Sequence, residues 1–235
     1  MTDTDLGERL TNWRAPDLPK ALPVEGRYAS LEPLNADAHA AALHDANCAD
    51  TAIWDYLPYG PFSSLSAYHR WVRDRAAETD PQFYAVMDKD RGKWGGVATL
   101  MRMTPEAGSI EVGHINFAPR LQKRRAASET IMLLAARVFA LGYRRFEWKC
   151  NALNSGSRRA AERFGFSYEG TFRQAAISKG RNRDTAWFAM IDKDWPAINA
   201  AYKHLIQKVH PDKGGNDFLA ALLNQAKETL NQTKS

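Results

Sequence analysis

The sequence predicts an α+β fold: a mixed, mostly antiparallel sheet flanked by helices, with a helical hairpin added at the C-terminal end. Three observations carry this. QFYAVMDKD, KWGGVATLMRM and SIEVGHINF are three successive strand-like runs, the last two joined by the turn Pro105-Glu106-Ala107-Gly108. AASETIMLLAARVFALG follows, apolar on nearly every face, as a buried helix is. A strand, a short helix and a strand pair then alternate before the chain turns helical from Asp192 onward.

The elements follow in order. Residues 1–24, punctuated by Pro16, Pro19 and Pro23, read as an arm that wraps the domain or stays partly loose. EGRYASLEPL, Glu25 to Leu34, alternates enough for a first strand. NADAHAAALHDANC is an Ala-rich short helix capped by Asn35 or Asp37. IWDYLPYGPF, Ile53 to Phe62, is an aromatic loop broken by Pro and Gly. SSLSAYHRWVRDRAAE reads as an amphipathic helix starting at Ser63 or Ser64. The long apolar helix stops at Gly142. YRRFEWKC is a strand, NSGSRRAAERFGF a helix stopped at Gly165, and TFRQAAIS and DTAWFAMI a hairpin about KGRNR. The expected division is an arm (1–24), a main domain (25–195) and a helical extension (196–235).

Composition narrows the function classes. The 235 residues are 44% hydrophobic and 25% charged, enough to bury a core, and the net charge of +5 suits an anionic ligand without demanding one. Cys48 and Cys150 form neither a disulfide framework nor a zinc quartet, and read as two reduced, buried thiols. No metal is expected. No run approaches the ~18 apolar residues of a membrane span. The N-terminus carries Asp3, Asp5 and Glu8 and lacks an apolar signal core. A cytoplasmic protein without a membrane partner is the expectation. Nucleic acid is not expected, although Lys123–Arg125 is the cluster RNA would use.

The most informative window is SIEVGHINFAPRLQKRRAASE. A strand ends near Phe117, Pro119 breaks it, and a helix begins near Ala126. Between them lie Gln122, Lys123, Arg124 and Arg125, then the small Ala126 and Ala127. A helix N-terminus offers free N–H groups and a positive dipole end, which suits a diphosphate. A solvated basic turn capping a helix is the bland alternative for the same residues.

This segment resembles motif A of the GNAT superfamily of N-acetyltransferases, Gln/Arg-x-x-Gly-x-Gly/Ala, whose loop amides hold the pyrophosphate of acetyl-CoA. Arg125 stands where the first Gly of that motif is common. NSGSRRAAERFGF is similar to the Asn-x-x-Ser-Arg helix leading to Gly-Phe in the RimJ/RimL branch, with Asn154, Ser157, Arg158, Gly165 and Phe166 at its spacing. EGTFRQA and KGRNRDTAWFAMI resemble the final hairpin of that branch. The likeness covers about residues 20–200. It implies acetyl-CoA as cosubstrate, held by Gln122–Ser128 with Asn154, Ser157 and Arg158. It also implies an amine acceptor and a carbonyl-polarising backbone N–H near Asn116, Phe117 and Ala118.

The resemblance makes Ser157 the candidate that protonates the leaving thiolate, with Asn154 beside it. Glu111 sits where several GNAT enzymes place a general-base glutamate. His114 is three residues on, with an ordinary pKa suited to the task. The two point to opposite faces of a regular strand and share one site only across a bulge. Either is equally readable as a satisfied strand-face residue. Trp54, Asp55, Tyr56, Tyr59 and Phe62 line an acceptor pocket or, alternatively, cover the core between two helices.

AYKHLIQKVHPDKGGNDFLAALLNQAKETL resembles helix II, loop and helix III of a J-domain, including the tripeptide His210, Pro211 and Asp212. The J-domain's preceding helix is missing. The tail recruits an Hsp70 through this tripeptide, packs as a relic hairpin, or mediates self-association into a homodimer. The sequence leaves these open, along with a non-catalytic, chaperone-linked adaptor as the other function class.

Overall fold

A computed structural model of the chain describes residues 6–208, with side chains through 205. Eight strands form one sheet: β1 Val24–Glu25, β2 Ala29–Pro33, β3 Gln82–Asp88, β4 Lys93–Thr104, β5 Ser109–Phe117, β6 Arg145–Asn151, β7 Ser167–Ser178 and β8 Arg181–Ile191. Five helices accompany them: α1 Ala36–Asn47, α2 Leu65–Ala76, α3 Arg125–Ala140, α4 Ser155–Arg163 and α5 Trp195–Lys208. The strand order is β1-β2-β3-β4-β5-β6-β8-β7. Every neighbouring pair is antiparallel except β5 and β6. This is the expected mixed, mostly antiparallel α+β sheet.

Local signals place the helices. Asn35 Oδ1 accepts from the Ala38 N–H and starts α1; Ser64 Oγ accepts from the Ala67 N–H and starts α2. Gly108 closes the β4–β5 turn at φ 66°, a left-handed position glycine takes without strain. After α3, the N–H of Gly142 (φ 93°) bonds Phe139 O and that of Tyr143 bonds Val138 O, ending the helix.

Each face of the sheet is covered differently. Ala98, Leu100, Ile110, Val112, Phe146 and Phe188 pack with Ile131, Leu134 and Val138 of α3, with Ala161 of α4, and with Ile198 and Leu205 of α5. On the other face, Phe83, Ala85 and Val97 pack with Leu43 of α1, Tyr68 and Val72 of α2, and Trp54. Residues 196–208 continue α5, and Ile198, Tyr202 and Leu205 lie in the main core; the rest of the expected helical extension lies outside the described residues. The HPD tripeptide, His210 to Asp212, falls outside the described residues.

Three expectations are corrected. The single strand expected over Glu25–Leu34 is a two-strand hairpin. Its turn is pinned from far along the chain: the Glu129 carboxylate of α3 accepts the N–H groups of Arg27, Tyr28 and Ala29 at 3.0, 2.6 and 2.6 Å. Cys48 is exposed rather than buried, whereas Cys150 is buried. The turn of the last hairpin tightens from KGRNR to Lys179-Gly180. The arm is tied down: Gln82 donates to Pro19 O, and Arg137 donates to Leu22 O and Lys20 O.

Removing the Glu129 carboxylate would leave three backbone donors without their acceptor. Glu129→Ala is expected to destabilise the fold by about 2–4 kcal/mol, and Glu129→Gln, which keeps one acceptor oxygen, by less. Urea denaturation of the three proteins checks the order wild type, Gln, Ala.

Candidate active site

The site begins where the sheet opens. β5 pairs with β6 only from Ser109↔Arg145 to Val112↔Trp148. On its other edge β5 stays with β4 but changes register, with Thr99 opposite Gly113 and Val97 opposite Asn116. His114 and Ile115 therefore face the single residue Ala98, and His114 takes φ 46°. This is a bulge. Past it, the β6-facing edge of β5 from Gly113 to Phe117 has no strand neighbour. Unpaired N–H and C=O groups of this kind receive an extended chain.

The open strand leads into the start of α3. Leu121 and Gln122 donate their N–H groups to Ala118 O, and Gln122 Nε2 donates to Phe117 O at 2.8 Å. Lys123 is left-handed at φ 59°, Arg124 is extended, and no side chain caps the helix. Ala126, Ala127 and Ser128 are buried. The first N–H groups of α3 thus stand behind small residues with the positive dipole end, an arrangement that fits a diphosphate. Two of the three cations are turned aside: Arg124 Nε lies 3.5 Å from Asp88, and the Arg125 guanidinium lies 4.8 Å from the Tyr28 ring centre. Backbone groups are therefore more open to an anion here than the basic side chains are. Beside the loop, on the β4 side, a cavity of about 380 Å³ is lined by Asp88, Arg91, Lys93, Gly95, Arg120 and Leu121.

Across the opening, α4 supplies a hydroxyl. Asn154 caps the helix, its Oδ1 accepting from the Ser157 N–H at 3.0 Å. The Trp148 indole N–H donates to Ser157 Oγ at 3.0 Å. A hydroxyl that accepts one bond keeps its own hydrogen to donate. Burial pushes the neighbouring Cys150 thiol above its ordinary pKa, so it stays a thiol. Arg158 bonds Ala152 O and lies against Tyr168.

The face opposite α3 carries the two candidate bases. Glu111 is buried; Arg102 Nη1 donates to both its oxygens at 2.9 and 2.8 Å, and Lys149 Nζ lies 2.9 Å away. His114 Nδ1 lies 3.1 Å from the Tyr59 hydroxyl, and the two rings stack at 5.5 Å. Burial lowers the His114 pKa to about 4, helped by the charges of Arg102, Arg75 and Arg183. Arg102 thus bears on both residues across the bulge.

The aromatic loop divides between two roles. Trp54 is buried and packs with Tyr59, Phe62 and Tyr68; Phe62 also meets Trp71. These rings cover the core. Asp55 and Tyr56 are exposed, and the Tyr56 hydroxyl donates to Leu153 O in the β6–α4 loop. Lys179, at the β7–β8 turn, donates to Trp54 O at 2.8 Å. The loop therefore arches over the opening and is held at both banks.

Asn116 is buried with neither amide atom hydrogen-bonded within the protein, and the same holds for the Thr99 hydroxyl. Among the described residues no group of three metal-binding side chains is present, and no helix is long and apolar enough to cross a membrane.

Sequence reasoning missed Trp148, Arg102, Lys149 and Arg183. Trp148 and Lys149 come beside β5 and β8 by long-range strand pairing, whereas Arg102 and Arg183 lie in hairpins whose register, set by bulges, no short motif marks.

The His114 shift sets a pH window for stability. Between pH 6.5 and about 4 the unfolded chain binds this proton and the folded one does not, so stability falls as pH falls. From pH 7 to 5 this group should remove about 2 kcal/mol. His114→Asn, which tolerates the left-handed backbone, should flatten the loss by that amount in urea denaturation at the two pH values.

The acetyltransferase (GNAT) domain family matches residues 30–167. A GCN5-related N-acetyltransferase from Brucella melitensis is 43% identical, with a TM-score of 0.83 over 86% of this chain and 92% of that one. A GNAT-family protein from Chromobacterium violaceum is 41% identical, with a TM-score of 0.76 over 81% and 96%. The Salmonella typhimurium acetyltransferase that modifies the N-terminal serine of ribosomal protein L7/L12 shares the fold at 21% identity, with a TM-score of 0.61 over 71% and 96%. Comparison with curated proteins finds no significant match. With the domain family spanning more than half its length and two relatives this similar along most of it, the chain belongs to the GNAT acetyltransferase family.

Proposed function

We propose that the protein transfers an acetyl group from acetyl-CoA to a primary amine, a protein N-terminus or a small-molecule amine, by direct attack in a ternary complex. The observation that carries this reading is the placement of Ser157. Its hydroxyl accepts the indole N–H of Trp148, the last β6 residue paired with β5, its backbone N–H is held by the Asn154 cap, and its hydroxyl hydrogen is shared with the Cys150 thiol, a weak acceptor that a departing sulfur can outcompete.

In this reading, the uncapped start of α3 and its loop, Gln122 to Ser128, hold the diphosphate of the cosubstrate, with Arg158 at the far bank. The free edge of β5, Asn116 to Ala118, pairs with the extended pantetheine arm, and one of its N–H groups polarises the thioester carbonyl. Attack by the neutral amine nitrogen forms the C–N bond and breaks the C–S bond. Ser157 gives its proton to the departing sulfur and is reprotonated by the proton that the new amide nitrogen sheds, directly or through water.

The base side favours an acceptor that is already neutral. Both Glu111 oxygens are engaged by cations, and a histidine with a pKa near 4 removes protons weakly. At pH 7 roughly one α-amine in ten is unprotonated, against fewer than about one lysine in a thousand. A peptide N-terminus therefore suits the site better than a lysine. The activity of the Salmonella relative on an N-terminal serine is in keeping with this.

Ser157→Ala should lower kcat about 100-fold or more while the acetyl-CoA Kd changes by less than about threefold. Steady-state kinetics over a panel of amine acceptors, with calorimetric titration of acetyl-CoA, checks both. Loss of cosubstrate binding in parallel with turnover would make Ser157 a structural cap instead.

A further inference from the structure

We propose that Arg183 receives a carboxylate of the acceptor, so that the amine acetylated here belongs to an acidic molecule. This inference rests on the acetyl-transfer reading above and names the substrate class.

The strand pattern places Arg183 at the acceptor side. β8 pairs with β6 from Ile191 down to Thr185, and Arg183 stands just beyond. Ala186, Phe188 and Met190 point into the α3–α5 core, so Arg183, Thr185 and Trp187 occupy the opposite face. Trp187 on that face lies under Lys149 at 3.8 Å, and Lys149 contacts Glu111. The Arg183 charge reaches both His114 of β5 and Cys150 of β6 as a minor influence.

Arg183 also lacks the partner its neighbours have. Its Nε is buried without an acceptor. The adjacent cations are already matched: Arg75 with Glu78, Arg102 with Glu111, and Lys149 with Glu111 and Glu147. Among the described residues no carboxylate forms an ion pair with Arg183. Arg75 shares the unmatched Nε but has Glu78; Arg183 is half-buried with no carboxylate, so its outer Nη groups are the donors an anionic acceptor group would meet, and a carboxylate takes such a planar fork in two parallel bonds. The same cations disfavour a charged ammonium beside His114, so the arrangement recruits the acid and keeps the amine neutral.

The test uses the full chain with CoA present and N-acetylated tetrapeptides as product-like probes. One series carries Asp or Glu next to the acetylated residue; its twin carries Asn or Gln. Calorimetric titration should show the acidic probe binding at least about tenfold tighter to the wild type. The preference should fall to near unity in Arg183→Gln and persist in part in Arg183→Lys, with melting temperatures confirming the fold of each variant. Equal affinity for the twins in the wild type, or a preference untouched in Arg183→Gln, would overturn the proposal. N-acetylaspartate, run beside the peptides, separates a free amino acid from a peptide as the acceptor. Turnover of the unacetylated peptides is followed separately. Its absence beside an Arg183-dependent acidic preference would sink acetyl transfer and leave the carboxylate site standing.

Discussion

Beyond Val112 the backbone of β5 parts from β6, and the cleft, its polar edge and both banks of candidate residues depend on that separation. The cause is local. One extra residue at the bulge opposite Ala98 turns His114 to a left-handed φ and re-aims the strand. Two parallel strands packed against one helix would otherwise continue side by side, each edge satisfying the other. With β5 bent away, its edge is left open while its end still feeds the start of α3. A single irregularity thus aligns an unpaired strand edge with a helix N-terminus. These are the two backbone devices suited to an extended amide-bearing arm and a diphosphate.

Around this opening the charges are arranged on one face. Glu111 is clamped by Arg102 and Lys149, Lys149 also meets Glu147, and Glu147 meets Arg145. The clamp reinforces the last paired residues of β5 and β6, beside the gap. It also occupies the carboxylate that a sequence reading offers as a base. On the opposite bank the chemistry is that of a donor: Trp148 and Asn154 fix a serine whose hydrogen meets only the weak acceptor Cys150. The aromatic loop closes the arch between them, its inner rings in the core and its exposed tip anchored through Tyr56 and by Lys179.

Local chemistry made much of the fold legible. Asn35, Ser64, Gly108 and Gly142 act on their own few residues, so their positions are readable from a short window. The alternation of β3 to β5 and the apolar α3 are similarly self-contained. The break between β1 and β2 was not readable, because its cause is Glu129, about a hundred residues away. Exposure of Cys48 likewise depends on what fails to pack over the end of α1. In the site, the neighbourhoods of Ser157 and the α3 start were suggested by resemblance, whereas the engagement of Glu111 and the orphaned Asn116 amide arise only from strand pairing. The aromatic loop shows the limit most clearly. Its composition fits a pocket and a core equally, and the structure divides its residues between them.

Amide hydrogen exchange with and without acetyl-CoA tests the central claim, that the parted edge of β5 and the uncapped start of α3 together bind the cosubstrate. Slowed exchange is expected at the edge-facing amides within Gly113–Ala118 and at Lys123–Ala127, with β3 and the paired half of β5 little changed. Unchanged exchange at both segments under saturating acetyl-CoA, or protection confined to the cavity by Arg91 and Arg120, would contradict it.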